Sequence, residues 1–148
     1  MKKQPKRGRP ALPEERRAAS YSFSMRPKVV EALRAMSATQ GRPQAAILED
    51  GIRLVRQDQA RKLAAGRRAF ERYLRAEVGL FAVDGATFQI AIRGKAHRVH
   101  LTDKAAFGLG VSPKRAATRL ADANVAAAVR SNAYISVDVN DSGELICK

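Results

Sequence analysis

Polar and apolar residues alternate with a period of two in residues 20–26, Ser-Tyr-Ser-Phe-Ser-Met-Arg. This alternation is typical of a half-buried strand, because successive side chains of a strand point to opposite faces. One predicted face is apolar and consists of Tyr21, Phe23 and Met25. The other face presents the hydroxyls of Ser20, Ser22 and Ser24.

Helical spacing replaces this alternation at Pro27, which suits the first turn of a helix. Gly41 predicts the end of that first helix. A second helix is predicted to begin near Pro43 and to continue to about Gly79. Its interior contains Gly66, where the pattern leaves open whether the helix breaks or kinks. The apolar stripes of the two helices are Val29, Val30, Leu33, Met36 and then Ile47, Leu48, Ile52, Val55.

Short β-rich segments follow from Leu80. Asp84-Gly85 predicts a hairpin turn between the first two of them. The chain is therefore predicted to contain a flexible basic arm at 1–19, a strand–helix–helix unit at 20–57, a helical extension at 58–79 and a small α+β domain at 80–148. The predicted strands of that domain are 81–83, 87–92, 96–101, 134–139 and 144–147, and its predicted helices are 103–109 and 113–130.

The composition is strongly basic, with 28 Lys and Arg against 14 Asp and Glu, a formal net charge of +14. A small protein with this charge is expected to meet a polyanion, and nucleic acid is the first candidate. No apolar run reaches the roughly 18 residues of a spanning helix, so we expect no membrane partner. The single cysteine, Cys147, fits a cytoplasmic location.

The strand–helix–helix unit cannot bury its own apolar faces, because a single strand has two open edges. A homodimer solves this problem if two strands pair antiparallel and four helices cover one face. The predicted dimer core is Tyr21, Phe23, Met25, Leu33, Ile47 and Ile52. The other face of such a ribbon fits the major groove of DNA.

These features together resemble the ribbon-helix-helix repressors of the Arc, MetJ and CopG type. The resemblance covers residues 20–57 and rests on the alternating strand, the two helical stripes and the turn at Gly41. It implies an obligate dimer whose strand serines read bases and whose second helix clamps a phosphate. Pro43 has no N–H to donate, so the clamp would depend on Gln44 and Ala45. The predicted DNA-binding residues are Arg7, Arg9, Ser20, Ser22, Ser24, Arg26, Arg42, Gln44 and Ala45.

The basic arm contains Arg7-Gly8-Arg9-Pro10, which resembles the core of an AT-hook. The narrow minor groove of A·T-rich DNA concentrates negative potential and attracts inserted arginine. The resemblance therefore implies minor-groove contacts by Arg7 and Arg9. A nonspecific phosphate-binding arm is the alternative.

The predicted long helix also carries an arginine-rich face over residues 56–75. That face either contacts flanking phosphates or is only solvated, and we favour the second interpretation. His97 and His100 are predicted to point to opposite sides of a strand, so we assign no metal site.

The predicted fold class is α+β: a dimeric ribbon-helix-helix with a shared two-stranded antiparallel ribbon, a long helix and a small α+β domain. The predicted function is sequence-specific binding of double-stranded DNA by a transcriptional repressor. One alternative is an accessory factor of plasmid mobilisation or partition, in which the C-terminal domain recruits a protein partner. Another is a nonspecific nucleoid-coating or RNA-binding protein. No catalytic constellation or cofactor motif appears, so we expect no enzyme, no cofactor and a cytoplasmic location on nucleoid or plasmid.

Overall fold

The computed structural model describes residues 24–148, without the side chains of Leu80 and Phe81, and shows an α+β fold. The chain divides into two compact units, Met1–Ile47 and Leu48–Lys148. None of the helices within residues 24–148 is both long enough and apolar enough to cross a membrane. In chain order the elements are α1 (Pro27–Gln40), α2 (Gln44–Glu77), β1 (Leu80–Asp84), β2 (Thr87–Ile92), β3 (Lys95–Leu101), α3 (Asp103–Val111), a 3₁₀ turn (Pro113–Arg115), α4 (Ala116–Asp122), α5 (Val125–Ser131), β4 (Tyr134–Val139) and β5 (Leu145–Cys147).

The predicted fold class is wrong at its N-terminal end, because an N-terminal ribbon-helix-helix is not shown. Ser24, Met25 and Arg26 lie outside any helix or strand, and the chain then enters α1. Within residues 24–148, α1 and α2 come first and all the strands follow them. Period-two alternation becomes a strand only where another strand accepts its backbone hydrogen bonds, and these three residues pair with none in the described chain. Residues 20–23 of the predicted strand lie outside the described residues.

The first unit contains α1 and the beginning of α2. Pro27 occupies the first turn of α1, as predicted, and Gly41 ends the helix with a left-handed φ of 62°. Leu33 and Ile47 are the buried apolar side chains among the described residues of this unit. Val29 and Met36 share the α1 stripe with Leu33 but stay about half exposed.

The second unit is built on a five-stranded sheet in the order β1-β2-β3-β4-β5. Strands β1, β2 and β3 form an antiparallel meander, and β4 and β5 form a hairpin. The predicted hairpin turn at Asp84-Gly85 is confirmed, and Gly85 has a φ of 58°. Strands β3 and β4 are parallel, because the chain crosses from one to the other through α3, α4 and α5.

One face of this sheet carries the core. Phe88, Ile90, Val99, Leu101 and Val137 are almost completely buried on that face. Side chains from every helix of the unit pack into the same cluster: Phe70 and Leu74 of α2, Leu109 of α3, Leu120 of α4, and Val125 and Val129 of α5. The Phe70 and Phe88 rings meet edge to face, with centroids 4.9 Å apart.

Helices α2 and α3 cross with their backbones in direct contact. A Cβ placed on Gly66 of α2 would overlap the carbonyl oxygen of Ala106 in α3. A Cβ placed on Gly110 of α3 would overlap the carbonyl oxygen of Lys62 in α2. Helix α2 therefore continues through Gly66, and the glycine serves this close approach.

Side chains on both sides of the crossing hold it in place. Arg67 of α2 donates to Asp103 in the first turn of α3 at 2.8 Å. The Lys62 ammonium lies 5.6 Å from the centre of the Phe107 ring, within reach of a cation–π interaction. The start of α3 is capped by the Thr102 hydroxyl, which accepts from the Ala105 N–H at 3.2 Å.

The helix predicted over 113–130 is divided into a 3₁₀ turn, α4 and α5. Asn124 breaks it with a left-handed φ of 52°, a conformation that asparagine tolerates better than most residues. The break lets α4 and α5 both reach the core. Arg130 of α5 then donates to the Glu77 carbonyl at the end of α2.

Asp138 of β4 has three hydrogen-bond partners. The Lys148 ammonium at 2.9 Å, the Val139 N–H at 2.8 Å and the Thr102 hydroxyl at 3.0 Å all donate to its carboxylate. These bonds lower the pKa of Asp138 from 3.8 to about 2. The folded state therefore favours the ionised carboxylate.

We predict that Gly66→Ala lowers the free energy of unfolding by about 2 kcal/mol or more, because overpacking at the crossing outweighs the gain of about 1 kcal/mol in helix propensity. Gly51→Ala is the matched control, since the space around Gly51 in α2 is open. It should raise the same free energy by about 0.5–1 kcal/mol. Urea unfolding followed by circular dichroism measures both, and equal stabilisation by the two alanines would contradict the crossing.

We also predict a pH-dependent stability difference between the wild type and Asp138→Asn. A lowered folded-state pKa stabilises the native protein above the unfolded value of 3.8, and that contribution is lost as the pH falls through about 2. The wild type should therefore melt higher at pH 6, and most of that advantage should be lost at pH 2. Thermal melts at both pH values test this, and a constant difference would refute the assignment to Asp138.

Candidate nucleic-acid interface

One face of α2 in the second unit carries a line of arginines. Arg61, Arg68 and Arg72 are spaced by seven and four residues, so they share one side of the helix. All three are exposed, and they lie opposite the side on which Phe70 and Tyr73 enter the core. The fold thus turns these charges towards solvent.

Within residues 24–148, four of the other five basic residues of α2 are held by acids, whereas these three arginines, like Arg56, are not. Arg53 pairs with Asp50, Lys62 with Asp58, Arg67 with Asp103 and Arg75 with Glu71, at 2.6–2.8 Å. Within residues 24–148, Arg61, Arg68 and Arg72 have no ion pair. Their charge is therefore available to a ligand.

The 3₁₀ turn after α3 lies beside this line of arginines. Pro113 lines an open surface depression of about 380 Å³ together with Arg68 and Arg72. The two residues after Pro113 are Lys114 and Arg115, both exposed and both without an ion pair in the described chain. We call Arg61, Arg68, Arg72, Lys114 and Arg115 the basic patch.

Little negative charge opposes the basic patch. Glu71 is the carboxylate that lines the depression, and Arg75 holds it with two hydrogen bonds of 2.8 and 3.1 Å. Unpaired guanidinium groups bind phosphate oxygens bidentately, which makes arginine a common partner of nucleic-acid backbones. The arrangement is suited to a chain of phosphates.

An exposed apolar stripe occupies the N-terminal part of α2 in the same unit. Residues 51–61 are exposed at every position. Ile52 and Val55 are more than half exposed, yet with Leu48 they continue the side of the helix that later buries Phe70 and Tyr73. We call Leu48, Ile52 and Val55 the apolar stripe.

The structure gives only a partial account of the residues predicted to bind DNA. Arg7, Arg9, Ser20 and Ser22 lie outside the described residues. The others belong to the first unit and are exposed: Ser24, Arg26, Arg42, Gln44 and Ala45. Gln44 is the first residue of α2, so the predicted helix start is confirmed to within one residue. Their contacts with DNA stay predictions.

The residues of the predicted dimer core also differ in whether the structure describes them and in how far they are buried. Tyr21 and Phe23 lie outside the described residues. Leu33 and Ile47 are buried within a single chain, and Met25 is partly buried. Ile52 is more than half exposed, and its role in a dimer core stays a prediction.

Sequence reasoning missed Lys114 and Arg115. An adjacent basic pair after Ser-Pro was visible as a signal, but the sequence does not show that this turn lies beside α2. The crossing at Gly66 and Gly110 brings them together, because Gly110 precedes Pro113 by only three residues.

The two histidines and the cysteine carry side chains with metal-binding or nucleophilic chemistry. His97 and His100 lie on opposite faces of β3, as predicted, and the His97 ring contacts the Asn132 carbonyl at 2.7 Å. Burial raises the pKa of the Cys147 thiol, so little thiolate forms near neutral pH. Among residues 24–148 no three His, Cys, Asp or Glu side chains form a group that could hold a metal ion.

Comparison with known proteins finds no matching family model, no similar curated protein and no similar solved structure.

Proposed function

We propose that this protein binds double-stranded DNA through the basic patch. The supporting observation is that Arg68 and Arg72 line one depression with Pro113, which is followed directly by the exposed cations Lys114 and Arg115. Arg61 lies on the same side of α2 as Arg68 and Arg72, and none of the five has an ion pair within residues 24–148. Phosphate contacts of this kind supply most of the nonspecific affinity of DNA-binding proteins. The total charge of +14 adds long-range attraction to any polyanion.

The arrangement of the basic patch favours a duplex backbone as its ligand. Arg61 and Arg72 are eleven residues apart, which is about 16 Å along a straight helix. A rigid helix therefore holds its arginines in a line, and Lys114 and Arg115 broaden that line sideways. A duplex presents regularly spaced phosphates to such a surface without having to change shape.

We further propose that the protein is a homodimer that pairs through the apolar stripe. A solvent-exposed helical segment gains little stability by itself, and packing of an apolar face usually supplies it. Leu48, Ile52 and Val55 have the spacing of four and three residues that two helices use to pack together. A second copy would bury them and double the number of basic patches.

The predicted role as a transcriptional repressor and the alternative role in plasmid mobilisation or partition are both proposals about where the protein binds. Selection of bound fragments from genomic and plasmid DNA at about 150 mM salt separates them. Enrichment of promoters supports the repressor. Enrichment of transfer or partition loci supports the accessory role, and uniform recovery would overturn sequence specificity.

We predict that Arg68→Ala combined with Arg72→Ala weakens duplex binding and reduces the slope of log K against log salt concentration by about 2 for each bound chain. Fluorescence anisotropy with a labelled duplex over a salt series measures this slope. The matched control is Arg34→Ala with Lys95→Ala, which removes the same charge from exposed positions elsewhere. Equal effects of the two double variants would exclude the basic patch as the binding surface.

We predict that Ile52→Asp raises the dissociation constant of the dimer by about 30-fold or more, because a charge replaces a side chain buried between copies. Gln57→Asp is the control, since Gln57 is exposed on another side of α2. Sedimentation velocity of the full-length protein over a concentration series measures both. A wild-type monomer, or a dimer untouched by Ile52→Asp, would show that the apolar stripe does not pair.

A further inference from the structure

The face of the sheet opposite the core is open among the described residues. Ile135 and Val137 of β4 point into the core, so Tyr134, Ser136 and Asp138 point the other way. Tyr134 keeps 60% of its surface exposed. All the helices of this unit contribute to the core on the first face, and this second face keeps its polar residues accessible to solvent.

Two rows of side chains cross this open face. In the first row Gln89, Arg98 and Tyr134 are direct partners on β2, β3 and β4. Neighbouring strands lie about 4.8 Å apart, so Arg98 and Tyr134 project from adjacent positions, and each side chain ends in a planar group. Arginine planes and aromatic rings are the side chains on which unpaired bases stack.

The second row supplies hydrogen-bonding groups. Thr87, His100 and Ser136 are direct partners on the same three strands, two residues from the first row or about 7 Å along the sheet. The planar side chains of the first row can stack on the plane of a base. The polar side chains of the second row can exchange hydrogen bonds with the edge of that base.

The charge of the open face is compatible with a nucleic-acid chain. Arg98 is exposed and has no ion pair within residues 24–148. On β2, β3 and β4 the two rows contain no carboxylate, and the second row continues on β1 to Asp84, the partner of Thr87, which is exposed and has no ion pair within residues 24–148. Asp138, farther along β4, is occupied by Lys148 at 2.9 Å. Anionic backbone can therefore approach Arg98 on β3, two strands away from the acid on β1.

From this geometry we infer that the open sheet face binds unpaired nucleotides, with their bases stacked on Tyr134 and Arg98. The ligand class is single-stranded nucleic acid, RNA or DNA. This surface is separate from the basic patch and needs neither a duplex nor a dimer. The open sheet face would thus give the second unit a ligand other than duplex DNA.

The test is titration of the full-length protein with single-stranded RNA and DNA of about ten nucleotides, and with an abasic DNA of equal length, at about 150 mM salt. The chain has no Trp and three Tyr, so stacking is visible as quenching of tyrosine emission. Base-bearing strands should quench this emission and bind at least about tenfold more tightly than the abasic strand. Equal binding of abasic and base-bearing strands would overturn the proposal.

Tyr134→Leu should remove the quenching and weaken binding of labelled strands about tenfold. Tyr134→Phe keeps a stacking ring and should retain most of the affinity measured by anisotropy. The affinity of Arg98→Ala for labelled strands should lie between the affinities of these two variants. If Tyr134→Leu binds like the wild type, the stacking site is wrong. If it instead converts a dimer to a monomer, a second copy covers this face and the proposal also fails.

The same titration separates this proposal from the proposed duplex binding. Arg68→Ala with Arg72→Ala should weaken duplex binding and leave the quenching by single strands intact. If that variant lost duplex binding and also the quenching by single strands, single-strand binding would belong to the basic patch and the proposed sheet site would be wrong. A preference for RNA over DNA would identify the 2′-hydroxyl as a contact, whereas equal affinity would identify base stacking as the shared determinant.

Discussion

The contact between the backbones of α2 and α3 is the constraint on which the second unit depends. Gly66 and Gly110 lack the side chains that would separate the two helices, and the carbonyls of Ala106 and Lys62 occupy that space. The register of α3 on α2 is thereby determined to within a residue. The position of α3 in turn determines where the following 3₁₀ turn begins.

This constraint links packing to charge. Arg67 and Asp103 neutralise each other across the crossing, whereas the turn that follows α3 places Lys114 and Arg115 near arginines that have no acid. A surface of unpaired cations has an electrostatic cost of its own in a folded protein, because like charges repel. A polyanionic ligand removes that repulsion, which is why the basic patch carries the proposed function.

The sheet has two chemically different faces for a related reason. Four helices cover one face, and the β3-to-β4 crossover makes those two strands parallel neighbours. Arg98 and Tyr134, 36 residues apart, become adjacent only through that pairing. The two surfaces proposed to bind nucleic acid therefore arise from long-range contacts, one between helices and one between strands.

The local pattern of the sequence by itself determined the helix starting at Pro27, its end at Gly41, the hairpin turn at Asp84-Gly85 and the strand Thr87–Ile92, because each depends on nearby residues and turn chemistry. It also predicted a strand at 20–26 that the described residues 24–26 do not form, since alternation cannot supply a partner strand. Only the tertiary structure decided that α2 runs through Gly66, that Asn124 divides the last helical region, and that β3 and β4 are parallel. Each of these depends on contacts between segments far apart in the chain, which local pattern does not encode.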